Sequence, residues 1–483
     1  MSILILTNIG SRDVLLNGEE IRPARDGGKR LFEEYDSCAA QLSFPIVESV
    51  MRYLLDRHPG ETLDLYLFGT DQDNPKFQPT DTLYFARLMA RRLPEVLGKR
   101  VRAWAEDVQK INPSYYDRAF EAYGRLLADL PETGISACYV ALAGGIPACN
   151  TALLLQGVRR YGERLQVIYT PLGSEPIPIR VGEQILGSFR EATALQHLQQ
   201  LDFANALPLL RSLGVSAGLI HLAEYAARRL EFDFQAARNS LEEALVQGDE
   251  ELRGFVIAAL RHDLDILLGG DDSLTRLAAL LRELNWNAAI CWQHRRYADF
   301  LARVYRFQEA VLRYLVERLF SLPTDMGPAA REQTRKRWEE GIRAIPGLVE
   351  YFQSLSSGGE KLDWHVNGRV THKALVAFAL REGGEGAMLS EAQRKRIAAL
   401  VERVNALDRL VELRHRTIVG HDFQGVSEEA LLQASPPGKT PPDALDEIAR
   451  IVASDAKLDD DAHRGPYEQI AAFLSSQLAG KTR

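Results

Sequence analysis

Residues 2–7, SILILT, followed by the polar turn 8–11, NIGS, decide the fold predicted for the N-terminal part of the chain. The run has the length of a buried strand and stops at turn residues. Residues 63–68 (LDLYLF), 137–142 (ACYVAL) and 165–169 (LQVIY) repeat the pattern, and residues 82–97 and 150–161 between them have helical spacing. Strands that alternate with helices predict an α/β, Rossmann-like domain with a parallel sheet over residues 1–182. In such sheets, ligands bind beyond the carboxyl ends of the strands, where these polar turns lie.

The rest of the sequence predicts only helices. Apolar residues recur at three- and four-residue spacing through residues 183–290, which we interpret as an all-α helical linker domain. Residues 202–210 (DFANALPLL) resemble a tetratricopeptide half-repeat, but the full signature and a clean period are missing, so a plain helical linker remains the preferred interpretation. Residues 291–483 form the third predicted region, an all-α bundle with long amphipathic helices at 296–322 and 391–419.

An arginine and a histidine at the end of the second long helix are the candidate catalytic residues. Arg416 and His421 are separated by four residues, and a continuous helix would turn them about 140° apart. Gly420 is predicted to end the helix in a left-handed cap conformation, which lets His421 fold back toward Arg416. An imidazole can transfer a proton near neutral pH, and a guanidinium can stabilise charge on a phosphate. The pair is therefore sufficient for metal-independent RNA cleavage through the 2′-hydroxyl, with a 2′,3′-cyclic phosphate product.

The spacing alone does not make this pair a site. With 10 histidines in the chain, about one such match is expected by chance. The alternative interpretation makes Arg416 a cation that stabilises a helix end and His421 a loop residue.

Composition narrows the possible partners. The net charge of −8 excludes a protein that coats nucleic acid with a generally basic surface, so any RNA contact must be local, and no stable DNA binding is expected. The four cysteines form no Cys-x-x-Cys pair, and the histidines lack metal-ligand spacing, so we expect no metal and no cofactor. No apolar run approaches the roughly 18 residues of a membrane span, and no signal peptide is apparent. We therefore expect a cytoplasmic protein without membrane contact.

Several motifs resemble those of a known family. Arg416 and His421 match the Arg-x(4–6)-His signature of the HEPN ribonuclease fold; residues 302–314 resemble its first bundle helix and residues 465–470 (GPYEQI) a closing motif. Residues 7–11 (TNIGS) and 143–150 (AGGIPACN) resemble the two ligand loops of the CARF sensor domain. Nearly the whole chain thus resembles the type III CRISPR-associated CARF–HEPN ancillary ribonucleases, of the type III-A Csm kind. The sequence departs from this pattern at Ile146, where a threonine or serine often stands.

The resemblance implies a function. Members are homodimers that are activated by cyclic oligoadenylate, with four or six adenylates, and that cut single-stranded RNA in antiviral defence. It implies that Arg416 and His421 of both subunits form one site, with Arg306 or Glu309 placed to orient His421. The implied ligand residues are Thr7, Asn8, Ile9, Gly10, Ser11, Gly144, Gly145, Ile146, Pro147 and Asn150. Some sensors also degrade their activator, for which Thr7, Asn8 and Ser11 are the candidates.

Two other functions remain open at this point. The first is a non-catalytic regulator that senses a cyclic nucleotide and whose HEPN-like bundle only dimerises. The second is an enzyme with a dinucleotide cofactor, which is disfavoured because Gly-x-Gly-x-x-Gly does not follow the first strand.

Overall fold

The computed structural model describes residues 2–108, 112–142, 144–171, 174–269, 272–324, 331–357, 360–381, 389–458 and 465–481. The chain forms two compact units, Met1–Arg190 and Glu191–Arg483. The predicted fold class, an α/β domain followed by an all-α region, is confirmed. The further division at residue 290 into linker and bundle stays a prediction.

Among the described residues of the first unit, nine strands and six α-helices make up most of the structure. The strands are β1 (Ser2–Asn8), β2 (Leu15–Leu16), β3 (Glu19–Glu20), β4 (Leu42–Ser43), β5 (Thr62–Gly69), β6 (Val101–Asp107), β7 (Ile135–Ala141), β8 (Leu165–Tyr169) and β9 (Ile177–Ile179). The helices are α1 (Ala24–Glu33), α2 (Tyr35–Cys38), α3 (Pro45–Arg57), α4 (Leu83–Leu97), α5 (Tyr116–Ala128) and α6 (Pro147–Tyr161), and α7 (Val181–Gln199) begins here.

The central strand β1 is apolar on both faces because helices cover both sides of the sheet. Ile3 and Ile5 join one hydrophobic cluster, and Leu4 and Leu6 join another on the opposite face. Successive side chains of a strand point to opposite faces, so an uninterrupted apolar run is what a strand buried on both sides requires.

The strand order of the main sheet is β6-β5-β1-β7-β8-β9. All neighbours are parallel except β8 and β9. From β1 the chain proceeds outward through β5 and β6, and then returns to the other side of β1 with β7 and β8. The direction of winding therefore reverses between β1 and β7, and the turns that follow these two strands lie side by side.

The second unit is almost wholly helical. Its helices are α8 (Phe203–Ser212), α9 (Ala217–Leu230), α10 (Phe234–Gln247), α11 (Glu250–Ala259), α12 (Arg261–Gly269), α13 (Ser273–Gln293), α14 (Tyr297–Phe320), α15 (Arg331–Ala344), α16 (Leu348–Ser354), α17 (Arg369–Ala379), α18 (Glu391–Ala406), α19 (Asp408–His415), α20 (Glu428–Ala434), α21 (Pro441–Asp455) and α22 (Pro466–Lys481). A short hairpin, β10 (Ser356–Ser357) with β11 (Glu360–Lys361), accompanies them.

Two hydrophobic clusters hold the second unit together. The larger one is centred on α14, which packs against α13, α17, α19 and α21. The smaller one joins α8 to α12 with apolar side chains of α22. The last helix therefore completes the core of helices that precede it in sequence by some two hundred residues.

A buried ionic network anchors α22 to that smaller cluster. Arg229 and Glu283 are fully buried and lie 2.6 Å apart, and Arg229 also pairs with Asp263. The Tyr467 hydroxyl, at the start of α22, donates a hydrogen bond to Glu283. A buried charge is tolerated only when paired and hydrogen-bonded, so Tyr467 is part of what stabilises this pair. The motif at residues 465–470 thus has a structural role in docking the last helix.

Candidate functional site

The first candidate site lies where the turns after β1 and β7 meet, at the carboxyl edge of the sheet. In open α/β sheets, ligands bind at the point where the winding direction reverses. The ten predicted ligand residues lie at the end of β1, in the two turns and at the start of α6, and the structure places the two turns in contact. Ala143, which begins the second predicted loop, lies outside the described residues.

Three glycines allow the two turns to approach so closely. A Cβ atom on Gly10 would lie 2.9 Å from the Gly145 backbone nitrogen, and one on Gly145 would lie 2.6 Å from the Asn8 Cβ. Gly145 also has a φ of +85°, which disfavours any other residue. At Gly144 a Cβ would collide with the carboxylate of Asp13. The glycines are thus required by the contact between the turns.

Buried polar side chains fasten the two turns together. Thr7 Oγ1 donates to the Ala141 carbonyl oxygen at 3.1 Å, and Asn8 Nδ2 donates to Asn150 Oδ1 at 2.8 Å. The Tyr123 hydroxyl donates to Asn8 Oδ1. Because Thr7 and Asn8 are each only 2% exposed, their side chains hold the site in shape, and Ser11 on the rim is more accessible to a ligand.

Asp13 is a further buried group behind the first turn. Its Oδ2 accepts a hydrogen bond from the Gly10 backbone N–H at 2.7 Å. Burial raises the pKa of this carboxyl, and the Gly10 bond counteracts part of that rise. By accepting the Gly10 hydrogen bond, the Asp13 carboxylate stabilises the conformation of the turn after β1.

A cavity of about 160 Å³ opens between the turns. Its wall contains predicted residues of both loops, from Asn8 to Ser11 and at Gly145 and Ile146. Helix α6 starts at this wall with Pro147 in its first turn and no side chain capping its N-terminus. Unpaired backbone N–H groups and the helix dipole favour an anion at such a position.

Several other residues that line the cavity were not predicted from the sequence. Among them are Thr70, Gln72, Thr80, Thr82 and Tyr123. The first four follow β5, whose carboxyl end adjoins that of β1, so the adjacency of parallel strands could have indicated this segment. Nothing in the sequence around Tyr123 distinguishes it from an ordinary helix residue.

The second candidate site lies at the end of α19. The helix ends at His415, and the chain folds back so that the His421 backbone nitrogen donates to the His415 carbonyl oxygen at 3.0 Å. The rings of His415 and His421 are parallel, with centroids 5.7 Å apart. Arg416 caps the helix, and its backbone oxygen accepts from the nitrogen of Gln424 at 2.9 Å. Arg416 and His421, both exposed, are therefore brought to one helix end.

The predicted role of Gly420 is wrong in its details. The helix ends five residues earlier, and Gly420 is not among the glycines with a positive φ. Its Cβ would instead lie 2.7 Å from the His415 Cα and carbonyl oxygen, and closer still to the Arg414 carbonyl oxygen. Glycine is needed here because the returning chain packs directly on the helix end, not because of a left-handed conformation.

A ring and three guanidinium groups stand beside this helix end. The Tyr305 ring lies 4.7 Å from the guanidinium carbon of Arg414 and 5.8 Å from those of Arg369 and Arg306. The same ring meets that of His415 edge-on at 6.1 Å. Burial, followed by the charges of Arg414 and other neighbours, lowers the pKa of His415. Arg369 and Arg306 are also paired with Asp408 and Glu309, so the positive charge beside this helix end is partly neutralised.

Arg414 was overlooked in the sequence, although six residues separate it from His421 and Arg-x(4–6)-His covers that spacing too. The motif spacing is therefore present at Arg414 too, but Arg416, which is nearer to His421 in sequence, was the arginine assigned to the motif. Its Nε is buried and has no hydrogen-bond partner among the described residues.

The two predicted supporting residues bond to each other. Arg306 Nη1 lies 2.8 Å from Glu309 Oε2, one turn apart on α14. The side chain of Arg306 is 68% exposed, so this pair is a modest surface interaction. Their predicted contribution to orienting His421 stays a prediction, and Tyr305 is the α14 residue whose ring reaches the neighbouring His415.

Two negative findings concern only the residues that the structure describes. In the described ranges there is no group of three or more His, Cys, Asp or Glu side chains placed to hold a metal ion. None of the helices in those ranges is both long and apolar enough to span a membrane.

The fold and the two sites define the class of the protein as a Rossmann-like α/β domain followed by a helical region with an Arg/His site at a helix end. No family model and no curated protein matches the sequence. Among solved structures, the chain is similar to Enterococcus italicus Csm6 bound to cyclic hexa-2′-fluoro-hexa-dAMP. The match covers 99% of each chain with a TM-score of 0.53 and 11% sequence identity. The CARF–HEPN resemblance inferred from the motifs is thereby confirmed at the level of the fold.

Proposed function

We propose that the protein is a single-stranded RNA endoribonuclease of type III CRISPR antiviral defence, activated by cyclic oligoadenylate and independent of metal. The observation that carries the proposal is the end of α19, where the chain folds back so that Arg414, His415, Arg416 and His421 belong to one helix end, on a chain that shares its fold with Csm6 over 99% of its length. A chain of net charge −8 needs a local site for RNA, and the arginines of this helix end are the groups that could supply it.

The groups present are sufficient for cleavage by the 2′-hydroxyl of the RNA. His421 is exposed and can accept the proton of the attacking 2′-hydroxyl or, when protonated, donate a proton to the leaving 5′-oxygen. The guanidinium groups of Arg414 and Arg416 can stabilise the negative charge that develops on the phosphate. Because the nucleophile belongs to the ribose, DNA is resistant and the product ends in a 2′,3′-cyclic phosphate.

The surface beside the Arg/His pair supports a homodimer. Ile418 is 74% exposed and Phe423 is 90% exposed, and both belong to the turn that carries Arg416 and His421. Large apolar side chains that are exposed together often mark a protein contact. A twofold contact through this turn would bring the pairs of two subunits into one composite site.

The cavity of the α/β unit is the proposed activator site. Csm6, whose fold this chain shares, is described as bound to a cyclic hexanucleotide of adenylate type. A phosphate would be held at the N-terminus of α6, next to the Gly144–Gly145 turn. A twofold-symmetric ring suits a site that two subunits build together.

The decisive experiment incubates fluorescent single-stranded RNA with the protein in EDTA, adding cyclic tetraadenylate or cyclic hexaadenylate. We expect cleavage only with one of the rings. RNA with 2′-deoxyribose at the cleaved position should be resistant. Chromatography of the same reactions measures whether the activator is also degraded.

Two variants locate the chemistry. His421→Ala should lower the cleavage rate by at least about a hundredfold while activator affinity is unchanged. His262→Ala, on the exposed surface of α12, is the matched control and should cut at the wild-type rate. If His421→Ala cut RNA normally, the assignment of this helix end would be wrong. Activator binding without any RNA cleavage by the wild type would instead favour the non-catalytic regulator.

A further inference from the structure

Three arginines surround the ring of Tyr305, and two of them are held by carboxylates. Arg369 Nη2 lies 2.8 Å from Asp408 Oδ1. Arg306 Nη1 lies 2.8 Å from Glu309 Oε2. The guanidinium carbons of both arginines lie 5.8 Å from the centre of the Tyr305 ring. The positive charge of each is therefore partly cancelled before any ligand approaches.

Arg414, the third arginine, has no such partner. Its guanidinium carbon is nearer to the ring centre than the other two, at 4.7 Å. Arg414 has no ion pair among the residues that the structure describes, and its buried Nε has no hydrogen-bond partner among them. The Asp408 carboxylate at the start of α19 is already occupied, because Lys373 Nζ lies 3.0 Å from both of its oxygens and Gln308 Nε2 donates to it at 2.7 Å. Arg414 therefore keeps its positive charge beside the Tyr305 ring.

An aromatic ring holds a cation in a different way from a carboxylate. The negative face of the ring attracts a guanidinium within roughly 6 Å of the ring centre but does not neutralise its charge. A planar guanidinium that packs on a ring can still offer N–H groups at its edge to two oxygens of a phosphate. A carboxylate would occupy those N–H groups and compete with the phosphate for them. The contact with Tyr305 thus suits an arginine whose charge is needed by a substrate.

The ring of Tyr305 is itself held by its surroundings. Tyr305 lies on α14 and packs against the larger hydrophobic cluster of the second unit. Its ring meets the ring of His415 edge-on, with centroids 6.1 Å apart, so it contacts two consecutive residues of α19 just before Arg416. Its hydroxyl has no hydrogen bond to the residues that the structure describes. The contact with α19 is therefore made by the ring and not by the hydroxyl.

We propose that Tyr305 is a positioning residue of the ribonuclease site, whose ring holds the Arg414 guanidinium, free of carboxylates, for the phosphate that is cleaved. This inference rests on the proposed ribonuclease function and adds the residue that places one of its arginines. It also gives the two kinds of arginine at this helix end different tasks. Arg369 and Arg306 are bound to carboxylates of the protein, and Arg414 is kept for the RNA.

The test is a double-mutant cycle on the full-length protein, measured by single-turnover cleavage of fluorescent RNA in EDTA with saturating cyclic oligoadenylate. Tyr305→Leu keeps an apolar side chain in the bundle but removes the ring. We expect its rate to be at least about tenfold lower, because the released guanidinium is misplaced. Arg414→Ala should lower the rate by at least as much. When Tyr305→Leu is added to Arg414→Ala, the rate should change by less than about threefold, since the group on which the ring acts is already absent.

Two further variants separate positioning from the folding of the bundle. Tyr305→Phe retains the ring, and it should restore the rate to within about threefold of the wild type because the cation is attracted by the ring. Tyr351→Leu is the matched control, because Tyr351 packs against the same hydrophobic cluster and its ring centre lies 4.8 Å from the guanidinium carbon of Arg381. This variant should cut RNA at the wild-type rate.

Several outcomes would overturn the inference. A wild-type rate in Tyr305→Leu or in Arg414→Ala would do so, and an equal loss in Tyr351→Leu would attribute the effect to the stability of the bundle. A loss in Tyr305→Phe as large as in Tyr305→Leu would assign the effect to the hydroxyl. A further loss of about tenfold on adding Tyr305→Leu to Arg414→Ala would show that the ring acts on another group, such as His415. Absence of RNA cleavage by the wild type with every cyclic oligoadenylate would instead refute the ribonuclease function itself.

Discussion

Replacing Gly420 by alanine should separate catalysis from activator binding. The added Cβ would lie 2.7 Å from the Cα and carbonyl oxygen of His415 and closer still to the Arg414 carbonyl oxygen. These are backbone atoms of α19, which cannot rotate away. The turn that carries His421 must therefore move.

The size of the displacement can be worked from the contacts. Real Cβ atoms are essentially never found closer than 3.0 Å to such atoms, so the turn must shift by up to roughly 1 Å, and a misplacement of that size can cost about a hundredfold in rate. The hydrogen bond from the His421 nitrogen to His415 would also be distorted. Because the proposed activator cavity lies in the other unit, the affinity for the cyclic oligoadenylate should be unchanged.

The assay is single-turnover cleavage of a fluorescent RNA in EDTA with saturating activator. Gly425→Ala is the matched control, because Gly425 lies in the same turn and has nothing within 4 Å of its Cβ position. We expect a rate about a hundredfold lower for Gly420→Ala and a wild-type rate for the control. Equal rates for all three proteins would refute the packing argument, and equal losses in both variants would show that the turn responds to any side chain.

Two further variants test the activator site and the bundle core. In Gly145→Ala, the Cβ would lie 2.6 Å from the Asn8 Cβ, so calorimetry should show an affinity for the cyclic oligoadenylate that is lower by about tenfold or more. The control Gly134→Ala has a φ of +80° but open space around it, and it should bind the ring normally. An equal loss in both variants would attribute the effect to backbone strain at a positive φ and not to the contact with Asn8. Burial lowers the pKa of His372 to about 3 from 6.5, so the unfolded chain binds the proton first and the free energy of unfolding should fall by about 2 kcal/mol from pH 7 to pH 5. Urea unfolding followed by tryptophan fluorescence measures this free energy, and in His372→Gln the loss between pH 7 and pH 5 should disappear. An equal loss of stability in the wild type and the variant would show that other groups cause it.

The strands of the main sheet were predictable where they are buried on both faces. Residues 2–7, 63–68, 137–142 and 165–169 correspond to β1, β5, β7 and β8 with small changes at their ends. Strand β6, VRAWAED, was missed because it lies at the edge of the sheet and alternates polar with apolar residues. A half-exposed strand carries a weaker apolar signal than a central one.

The second long helix was predicted too long. The run 391–419 is divided at Leu407 into α18 and α19, and it ends at His415. Leu407 itself is fully buried in the bundle. The break lies between helices that continue the same apolar pattern, so periodicity alone cannot detect it.

Site residues that are near in sequence were predictable, and those that meet only in the fold were not. Arg416 and His421 share one motif, and Gly144 and Gly145 share one turn. Gln72 and Tyr305 reach their sites through strand order and helix packing, and neither stands in a recognisable pattern. Thr7 and Asn8 were predicted to contact ligand, but their hydrogen bonds are made to the protein. The sequence therefore predicted where the site lies, but it did not predict which side chains are free to contact a ligand and which hold the turns together.

The hydrogen bond between Tyr467 and Glu283 has a consequence for when the second unit can fold during synthesis. These two residues are 184 positions apart, and the cluster formed by helices α8 to α12 is incomplete until α22 joins it. A ribosome adds roughly 5–20 residues per second, so the earlier helices wait on the order of ten seconds or more with part of their apolar surface uncovered. Domains that are closed by a later segment cannot finish folding during synthesis of their own first half. Chaperones that hold nascent chains should therefore engage this protein between the emergence of α12 and that of α22, and the complete second unit should form only after that interval.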